Sequence, residues 1–188
     1  MELTVTPTPL DGVVLIRPRI FPDSRGFFLE TWNARDFAAA GMAGPFVQDS
    51  HSRSTRGVLR GLHYQDATAP LGKLVRCTVG SIFDVAVDLR SGSPTFGQWT
   101  GATLTADNKL QIYIPPGFAH GFQATSEIVE VQYKQTGYYT PAAEGTIAWN
   151  DPDVGVTWPI EAPILSGRDE HGVSFKDYTR RPAFHYAR

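Results

Sequence analysis

The sequence predicts an all-β fold, either a sandwich or a barrel built from many short strands. Short runs of β-branched and aromatic residues recur along the chain, and 18 Gly and 14 Pro residues are spread between them. Short strands separated by frequent turns are typical of both architectures. The chain has 188 residues and no segment that resembles a linker, so we predict one domain over residues 1–188.

The predicted strands follow one another between residues 13 and 149. Their ranges are 13–17, 27–31, 47–54, 57–62, 74–79, 82–89, 99–104, 111–114, 121–124, 128–133 and 146–149. Turn-forming residues interrupt the pattern most clearly from Ser91 to Pro94 and at Thr136-Gly137.

One segment predicts a good helix. Residues 34–40 are rich in Ala, follow Asn33 as a possible N-cap and end before Gly41. From about Pro159 onward the chain is rich in Pro and then polar. We expect this last part to wrap the domain as turns with a short helix.

The composition excludes several classes of protein. The 17 Lys and Arg residues are balanced by 19 Asp and Glu residues, so we predict no general binding to nucleic acid or to anionic membranes. Cys77 is the single cysteine, which excludes an internal disulfide and a Cys-rich zinc site. No signal peptide and no apolar run of membrane-spanning length is recognisable. We therefore expect a cytoplasmic protein with no membrane partner.

The segment 82–89 predicts a strand with two different faces. Alternation places Phe83, Val85, Val87 and Leu89 on one face and Ile82, Asp84, Ala86 and Asp88 on the other. Such a strand suits a barrel wall with a packed layer on one side and a lined cavity on the other. The alternative, which the pattern alone favours, is that Asp84 and Asp88 simply face solvent.

Arg60 and His63 could place a phosphate clamp beside a general base. Regular alternation puts their side chains on opposite faces of a strand. Both can face one cavity only where the strand is irregular, and Gly61 is where a bulge is tolerated. The alternative, which the residues alone favour, is that His63 is an ordinary structural residue.

Pro115, Gly117 and His120 form the pattern P-x-G-x-x-H, which is found in the second cupin motif. A Pro-Gly turn that leads into a strand with an inward His is a recurring way to line a β-barrel. The alternative is a hairpin turn with a His on the surface.

A metal site is not indicated by the histidine spacing. Many cupins bind a metal through a His-x-His pair and a Glu of the first motif together with the His of the second. Position 61 is Gly, so no His-x-His pair ends at His63, and His51 is too distant in sequence to replace it. Two His and a carboxylate could form a facial triad, but no spacing requires one, and we predict a metal-free site.

Tyrosine and dispersed cations complete the set of candidate groups. Tyr133 ends a predicted strand and could donate a proton, although tyrosines more often pack or stack against rings. The candidate cations are Arg25, Arg60, Lys73 and Arg168. If the fold brings them together, they would bind a diphosphate, and otherwise they are solvated surface residues.

Eight sequence blocks extend from about residue 10 to about residue 170. They are 21–30, 46–52, 58–65, 72–77, 83–88, 93–97, 116–122 and 149–153. In order and spacing the blocks resemble the dTDP-4-dehydrorhamnose 3,5-epimerase family, the cupin enzymes of rhamnose biosynthesis. The resemblance implies a cupin-like jelly-roll β-barrel with a few short helices, a homodimer, and no metal or organic cofactor.

The resemblance also implies the reaction. The expected substrate is a dTDP-linked 4-keto-6-deoxy sugar. Inverting carbons 3 and 5 of dTDP-4-keto-6-deoxy-D-glucose through an enolate would give dTDP-4-keto-L-rhamnose. Protons next to the carbon-4 ketone are acidic, so a positioned base and acid can exchange them.

Catalytic roles follow from the same resemblance. His63 matches the general base, Asp169 the carboxylate that orients it, and Tyr133 the acid that returns a proton from the opposite face. Lys73 matches the cation near the enolate oxygen. His120 occupies the position of the second active-site His, with Asp84 as its carboxylate partner.

Substrate contacts are implied at further positions. These are Arg25, Glu30, Gln48, Arg60, Glu144 and Arg168, with Tyr139 as a residue that stacks on the base or sugar. One departure from the family pattern is Ser50, which stands where relatives often have Asn.

Two other functions remain open from the sequence. One is a mono-epimerase that inverts carbon 3 or carbon 5 alone, for a modified sugar of secondary metabolism. The other is a binding module for nucleotide sugars without catalysis. The set of His63, Lys73, His120 and Tyr133 argues against the binding module, which would not need it.

Overall fold

A computed structural model describes residues 3–42 and 44–186. The strands within these residues are β1 Leu3–Pro7, β2 Val14–Pro18, β3 Ile20–Asp23, β4 Gly26–Leu29, β5 Gln48–Thr55, β6 Leu59–Gln65, β7 Lys73–Val79, β8 Ser81–Asp88, β9 Arg90–Ser91, β10 Trp99–Thr105, β11 Gln111–Ile114, β12 Phe118–Ala124, β13 Ile128–Gln135, β14 Glu144–Thr146 and β15 Phe184–His185. The helices are α1 Ala34–Ala39, α2 Gly167–Glu170 and α3 Phe175–Arg180, with a 3₁₀ turn at Pro141–Ala143.

Most of the strands form two large antiparallel sheets. Among the described residues, one sheet has six strands in the order β1-β2-β11-β7-β13-β5, and the other has five in the order β10-β8-β12-β6-β14. β3 and β4 form a separate hairpin, and β9 pairs in parallel with β15. The chain repeatedly crosses from one large sheet to the other, as in a jelly-roll barrel. The all-β prediction is confirmed.

The main hydrophobic core lies between the two large sheets. One cluster joins Val75 of β7 and Ile112 of β11 to Ile82 of β8 and Phe122 of β12, all at most 1% exposed. Because these side chains come from both sheets, the sheets must pack face to face. Full burial of each such side chain stabilises the fold by roughly 1.5–3 kcal/mol.

Strand β8 has the two faces that alternation predicts. Val85 and Val87 pack with Trp158 and Phe175 of the C-terminal segment in a second cluster, whereas Ala86 packs in the core between the sheets. One face of β8 therefore looks toward the barrel interior, and the C-terminal segment covers the other.

The two aspartates of β8 are fully buried, so the solvent-facing alternative is wrong. Asp84 Oδ2 lies 2.9 Å from His120 Nε2. Asp88 Oδ2 accepts hydrogen bonds from Arg90 at 2.8 Å and from Ser93 at 2.6 Å. Burial without such partners would be costly for a carboxylate, and the sequence pattern cannot show partners that lie on other strands.

A bulge in β6 determines the relative orientation of Arg60 and His63. β12 pairs His120 with His63 but Phe122 with Arg60, so two residues of β6 oppose one residue of β12 at this point. Gly61 has φ +145°, and a Cβ there would lie 2.5 Å from Gly121 Cα. Only glycine fits this close approach. The irregularity expected at Gly61 is confirmed.

Helix α1 forms where the sequence predicts it. Asn33 Oδ1 accepts hydrogen bonds from the backbone N–H groups of Arg35 and Asp36, at 3.2 and 3.3 Å. Phe37 is the buried residue of this helix and packs with Ile16 against the six-stranded sheet. The helix ends before Gly41, as expected.

The C-terminal segment wraps the five-stranded sheet, as expected, and contains two short helices. Ser166 caps α2 and Ser174 caps α3, each by accepting a hydrogen bond from the N–H group three residues later. Tyr178 of α3 is buried, and its hydroxyl donates to the carbonyl of Leu89 at 2.7 Å. This segment carries Asp169 of α2 to the barrel.

Other boundaries differ from the predictions. The strand predicted at 146–149 is wrong in position, because β14 ends at Thr146 and Trp149 lies in a turn. That turn is held by Asp151 Oδ1, which accepts hydrogen bonds from the N–H groups of Asp153 and Val154. Strands β1, β3, β9 and β15 were not predicted.

Candidate active site

A cavity opens between the two large sheets and has a volume of about 220 Å³. His63 and His120 reach it from the five-stranded sheet, and Lys73 and Tyr133 reach it from the six-stranded sheet. Its lining residues are Ser50, Ser52, Arg60, His63, Lys73, His120, Phe122, Tyr133, Gln135, Ser166, Arg168 and Asp169. The fold therefore collects residues from both walls and from the C-terminal segment.

His63 and Asp169 form a tightly coupled pair. His63 Nε2 lies 2.5 Å from Asp169 Oδ1, and the Ser166 hydroxyl donates to Asp169 Oδ2 at 2.6 Å. Burial raises the pKa of Asp169, but the hydrogen bonds from His63 and Ser166 outweigh it and lower the pKa to about 2. Asp169 is therefore ionised and accepts a hydrogen bond from the Nε2–H group of His63, which leaves His63 Nδ1 unprotonated and able to act as a base.

The environment of His63 favours its neutral form. Burial lowers the pKa of His63 below its ordinary value, the hydrogen bond to Asp169 opposes this, and the nearby charges of Arg168 and Lys73 lower the pKa further. Arg168 Nη2 lies 3.4 Å from His63 Nδ1. The ring is thus ready to take up a proton near neutral pH.

A second His–carboxylate pair holds Lys73. His120 Nε2 lies 2.9 Å from Asp84 Oδ2, and Lys73 Nζ lies 3.5 Å from His120 Nδ1. Burial lowers the pKa of Lys73 to about 8, while the negative charges of Asp84 and Glu144 oppose this shift. Lys73 is mostly protonated at neutral pH and presents a cation to the cavity.

The Tyr133 side chain reaches the cavity from the six-stranded sheet. Its Oη lies 2.7 Å from Ser52 Oγ, and its ring meets the His120 ring edge-on, with ring centroids 6.4 Å apart. Burial raises the pKa of Tyr133 well above its ordinary value. The phenol is therefore fully protonated at neutral pH and can only donate a proton.

Charged residues form a network beside His63. Arg168 Nη1 donates to both carboxylate oxygens of Glu144 at 2.8 Å, and the Tyr139 hydroxyl donates to Glu144 Oε2 at 3.0 Å. The Gln48 side chain accepts from the backbone N–H of Tyr139 at 3.1 Å. Glu144 and Tyr139 also line a smaller cavity next to His63 and Lys73.

The predicted cations converge only in part. Arg60, Lys73 and Arg168 line the same cavity. Arg25 lies in the β3–β4 hairpin, where its exposed guanidinium pairs with Asp23. Glu30 is bonded to the Asn33 side chain at 2.9 Å. Arg25 and Glu30 lie outside the cavity, and their assignment as substrate contacts stays a prediction.

Several lining residues were not found from the sequence. Ser52 bonds Tyr133, Ser166 bonds Asp169, and Gln135 presents an amide to the cavity. Serine and glutamine are common in strands and loops of every function. For Ser52 alone there is a usable signal, the alternation of Gln48, Ser50, Ser52 and Ser54 along one face of β5.

Among residues 3–42 and 44–186, no group of three or more His, Cys, Asp or Glu side chains is placed to hold a metal ion. The side chains that line the cavity can carry out acid–base chemistry, because they include the His63–Asp169 pair, a protonated Tyr133 and the Lys73 cation.

Comparison with known proteins identifies the family. The family model described as dTDP-4-dehydrorhamnose 3,5-epimerase matches residues 7–177. A curated dTDP-4-dehydrorhamnose 3,5-epimerase from Pseudomonas aeruginosa is 54% identical over 177 residues, which cover 93% of this chain and 97% of that protein. The chain belongs to the dTDP-4-dehydrorhamnose 3,5-epimerase family. The resemblance predicted from the sequence blocks is confirmed, and the protein is an isomerase.

Solved structures of such epimerases share the fold. A dTDP-6-deoxy-D-glucose-3,5-epimerase from Legionella pneumophila Philadelphia 1, crystallised with dTDP-4-keto-L-rhamnose, matches with a TM-score of 0.95 and 42% identity over the full length of both chains. ChmJ, a 3′-monoepimerase from Streptomyces bikiniensis, matches with a TM-score of 0.88 and 33% identity, covering 93% of this chain and 89% of ChmJ. The cupin-like jelly-roll prediction is confirmed.

Within the part of the chain that the structure describes, no helix is long and apolar enough to cross a membrane.

Proposed function

We propose that this epimerase acts on dTDP-4-keto-6-deoxy-D-glucose, inverts carbons 3 and 5, and releases dTDP-4-keto-L-rhamnose. The observation that supports the proposal is the placement of the His63–Asp169 pair and Tyr133, which come from different walls of one cavity. Inversion needs one group to remove a proton and another to return it on the opposite face of the sugar ring.

His63 is the proposed base. Its Nδ1 takes a proton from carbon 3 or carbon 5, and the electrons of the broken C–H bond form an enolate whose charge lies on the carbon-4 oxygen. Asp169 holds the ring in the required tautomer through Nε2 and stabilises the imidazolium that forms. Positioned acid–base groups of this kind contribute about 10²–10⁴-fold to the rate.

Lys73 is the proposed partner of the enolate oxygen. It is a half-buried cation that lies next to His120, which is in turn bonded to Asp84. A cation fixed in position inside the protein stabilises a developing oxyanion more than the same charge in water. Asp84 and His120 therefore act by positioning Lys73.

Tyr133 is the proposed acid. Its O–H bond breaks as the new C–H bond forms on the opposite face, and the enolate electrons return to the carbonyl. Arg60, Arg168, Gln48, Glu144 and Tyr139 are proposed to hold the diphosphate, the sugar and the base. Arginine suits this task because its planar fork matches phosphate oxygens.

The test measures the exchange of the protons on carbons 3 and 5 of the sugar in heavy water. Proton NMR of dTDP-4-keto-6-deoxy-D-glucose with the wild-type protein should show deuterium at carbons 3 and 5 together with inversion at both. His63→Ala should abolish exchange and leave binding of the dTDP-sugar largely intact. His185→Ala, which removes an exposed histidine of β15, is the matched control and should behave as wild type.

Three other outcomes would change the assignment. Label and inversion at one carbon only would make the protein a mono-epimerase, the activity named for ChmJ. Binding without any exchange would make it a nucleotide-sugar binding module. Equal loss of binding and exchange in His63→Ala would contradict the role of His63 as the base.

We also propose that the enzyme works as a homodimer. The β3–β4 hairpin exposes three aromatic side chains: Phe21 is 43%, Phe27 56% and Phe28 69% exposed. Exposed apolar groups concentrated on one element mark association surfaces, and most soluble homo-oligomers are twofold dimers. The cytoplasmic location expected from the sequence stays a prediction.

A further inference from the structure

Strand β5 has an unusual composition for a barrel wall. Its eight residues contain no large apolar side chain, although it forms the edge of the six-stranded sheet next to β13. The outward residues His51 and Arg53 both bond Glu130 of β13. The inward positions are Gln48, Ser50, Ser52 and Ser54, which are half-buried or buried.

Each inward hydroxyl of β5 contacts one polar side chain of the site. Ser50 Oγ accepts from Gln48 Nε2 at 3.3 Å, and Ser54 Oγ accepts from Arg60 Nε at 3.1 Å. Ser52 Oγ lies 2.7 Å from Tyr133 Oη. The contact of Ser52 is the shortest of the three and reaches the proposed acid.

We propose that Ser52 is a positioning residue for Tyr133: its hydroxyl donates to the phenol oxygen, aims the phenol proton into the cavity, and stabilises the phenolate left after proton transfer. This inference rests on the proposed function of Tyr133 as the acid.

The direction of the hydrogen bond follows from what Tyr133 must do. If the phenol donated to Ser52, its proton would point at the strand and not at the substrate. When Ser52 donates, the phenol oxygen keeps its own hydrogen for the enolate carbon.

The phenolate needs this donor because of its surroundings. Tyr133 lies among Phe122, His120 and the negative charge of Asp84, and Arg60 is the nearby cation. During the transfer the Tyr133 O–H bond breaks, the C–H bond forms, and the negative charge moves from the enolate to the phenol oxygen. The phenolate then recovers a proton from solvent water, and the His63 imidazolium releases to solvent the proton that it took from the sugar. A hydrogen bond to a charged oxygen is roughly twice as strong as a neutral one, so the contact with Ser52 strengthens as charge arrives.

Ser52→Ala separates this role from a structural one. His63 can still remove a proton and return a deuteron on the same face, so exchange of label should persist. Inversion should fall by about tenfold to a hundredfold, which corresponds to loss of one hydrogen bond to a charged group. Ser52→Thr keeps the hydroxyl and should restore the ratio of inversion to exchange.

Ser54 offers a matched control, because it lies two residues from Ser52 on the same face of β5. Ser54→Ala removes a hydroxyl that contacts Arg60 and not Tyr133. It should raise KM for the dTDP-sugar and leave the ratio of inversion to exchange at the wild-type value.

The decisive measurement is deuterium exchange and inversion by NMR in wild type, Ser52→Ala, Tyr133→Phe and the double variant. If Ser52 acts only through Tyr133, adding Ser52→Ala to Tyr133→Phe changes neither rate further. Equal losses of exchange and inversion in Ser52→Ala, or a further loss of exchange in the double variant, would overturn the inference. Absence of exchange in the wild type would instead contradict the proposed function itself.

Discussion

Two His–carboxylate pairs lie in the same cavity, and they have different proposed tasks. Each ring has a carboxylate on Nε2 and a cation near Nδ1: Arg168 lies 3.4 Å from Nδ1 of His63, and Lys73 lies 3.5 Å from Nδ1 of His120. The two rings differ in exposure, because the side chain of His63 is 15% exposed and that of His120 is 5% exposed. A sugar in the cavity can therefore reach His63 more readily, whereas His120 is placed to position Lys73.

The pH dependence of kcat/KM should show the titration of both His63 and Lys73. The base works when neutral, so activity should rise as pH increases through the pKa of His63, which lies below the ordinary value of about 6.5. Lys73 works when charged, so activity should fall as pH rises through about 8. Initial rates across this range should trace a bell with its plateau near neutral pH.

Lys73→Arg tests whether deprotonation of Lys73 causes the fall in activity at alkaline pH. An arginine stays charged at every pH of the assay, so the variant should be slower but should keep its activity above pH 8. An alkaline limb that is unchanged in Lys73→Arg would show that another group controls it.

At the scale of an element, the bulge in β6 decides whether the site exists. Gly61→Ala should destabilise the protein by several kcal/mol, because the added Cβ meets Gly121 Cα at 2.5 Å and φ is +145°. It should also reduce epimerisation, because Arg60 and His63 lose their common orientation. Denaturant unfolding and the exchange assay measure the two effects.

Gly92→Ala is the control that distinguishes the steric clash of an added Cβ from the strain of a positive φ. Gly92 has φ +85°, and a Cβ there meets nothing within 4 Å. Its substitution should cost only about 1 kcal/mol. Similar losses at both glycines would mean that the close approach to Gly121 is unimportant.

The sequence predicts elements well where local signals are strong. Alternation places the faces of β8, and the Asn33 cap with Gly41 marks α1 correctly. β9 and β15 are two residues each and have no periodicity to detect. β3 carries Pro22, which weakens any strand prediction.

Residues of the site can be predicted only where the type of the residue indicates its chemical role. His63, Lys73, His120 and Tyr133 are recognised through the family resemblance and do meet in one cavity. Alternation alone did not predict the burial of Asp84, because this burial depends on His120, which lies 36 residues away, although the family resemblance pairs the two residues. Ser52 was missed because its partner Tyr133 lies 81 residues away, and such contacts exist only after the sheets have formed.

For the whole molecule, the exposed hairpin β3–β4 predicts the oligomeric state. Phe28→Asp should convert a dimer into a monomer, because it places a charge on the most exposed of the hairpin aromatics. Light scattering after size-exclusion chromatography would measure the mass of each form.

Ile164→Asp is the matched control for that experiment. Ile164 is 57% exposed and lies outside the hairpin, so its substitution should leave the mass unchanged. A wild-type protein that is monomeric, or a Phe28→Asp variant that remains dimeric, would contradict the proposed interface.

The C-terminal segment also supplies a proposed active-site residue late in the synthesis of the chain. His63 leaves the ribosome 106 residues before Asp169, the carboxylate that orients it. At about 5–20 residues per second, this interval lasts roughly 5–20 seconds. A growing chain can therefore contain much of the barrel around His63 and still lack Asp169. On the proposed mechanism, the base of such a chain is not yet oriented, and full activity requires α2 to dock.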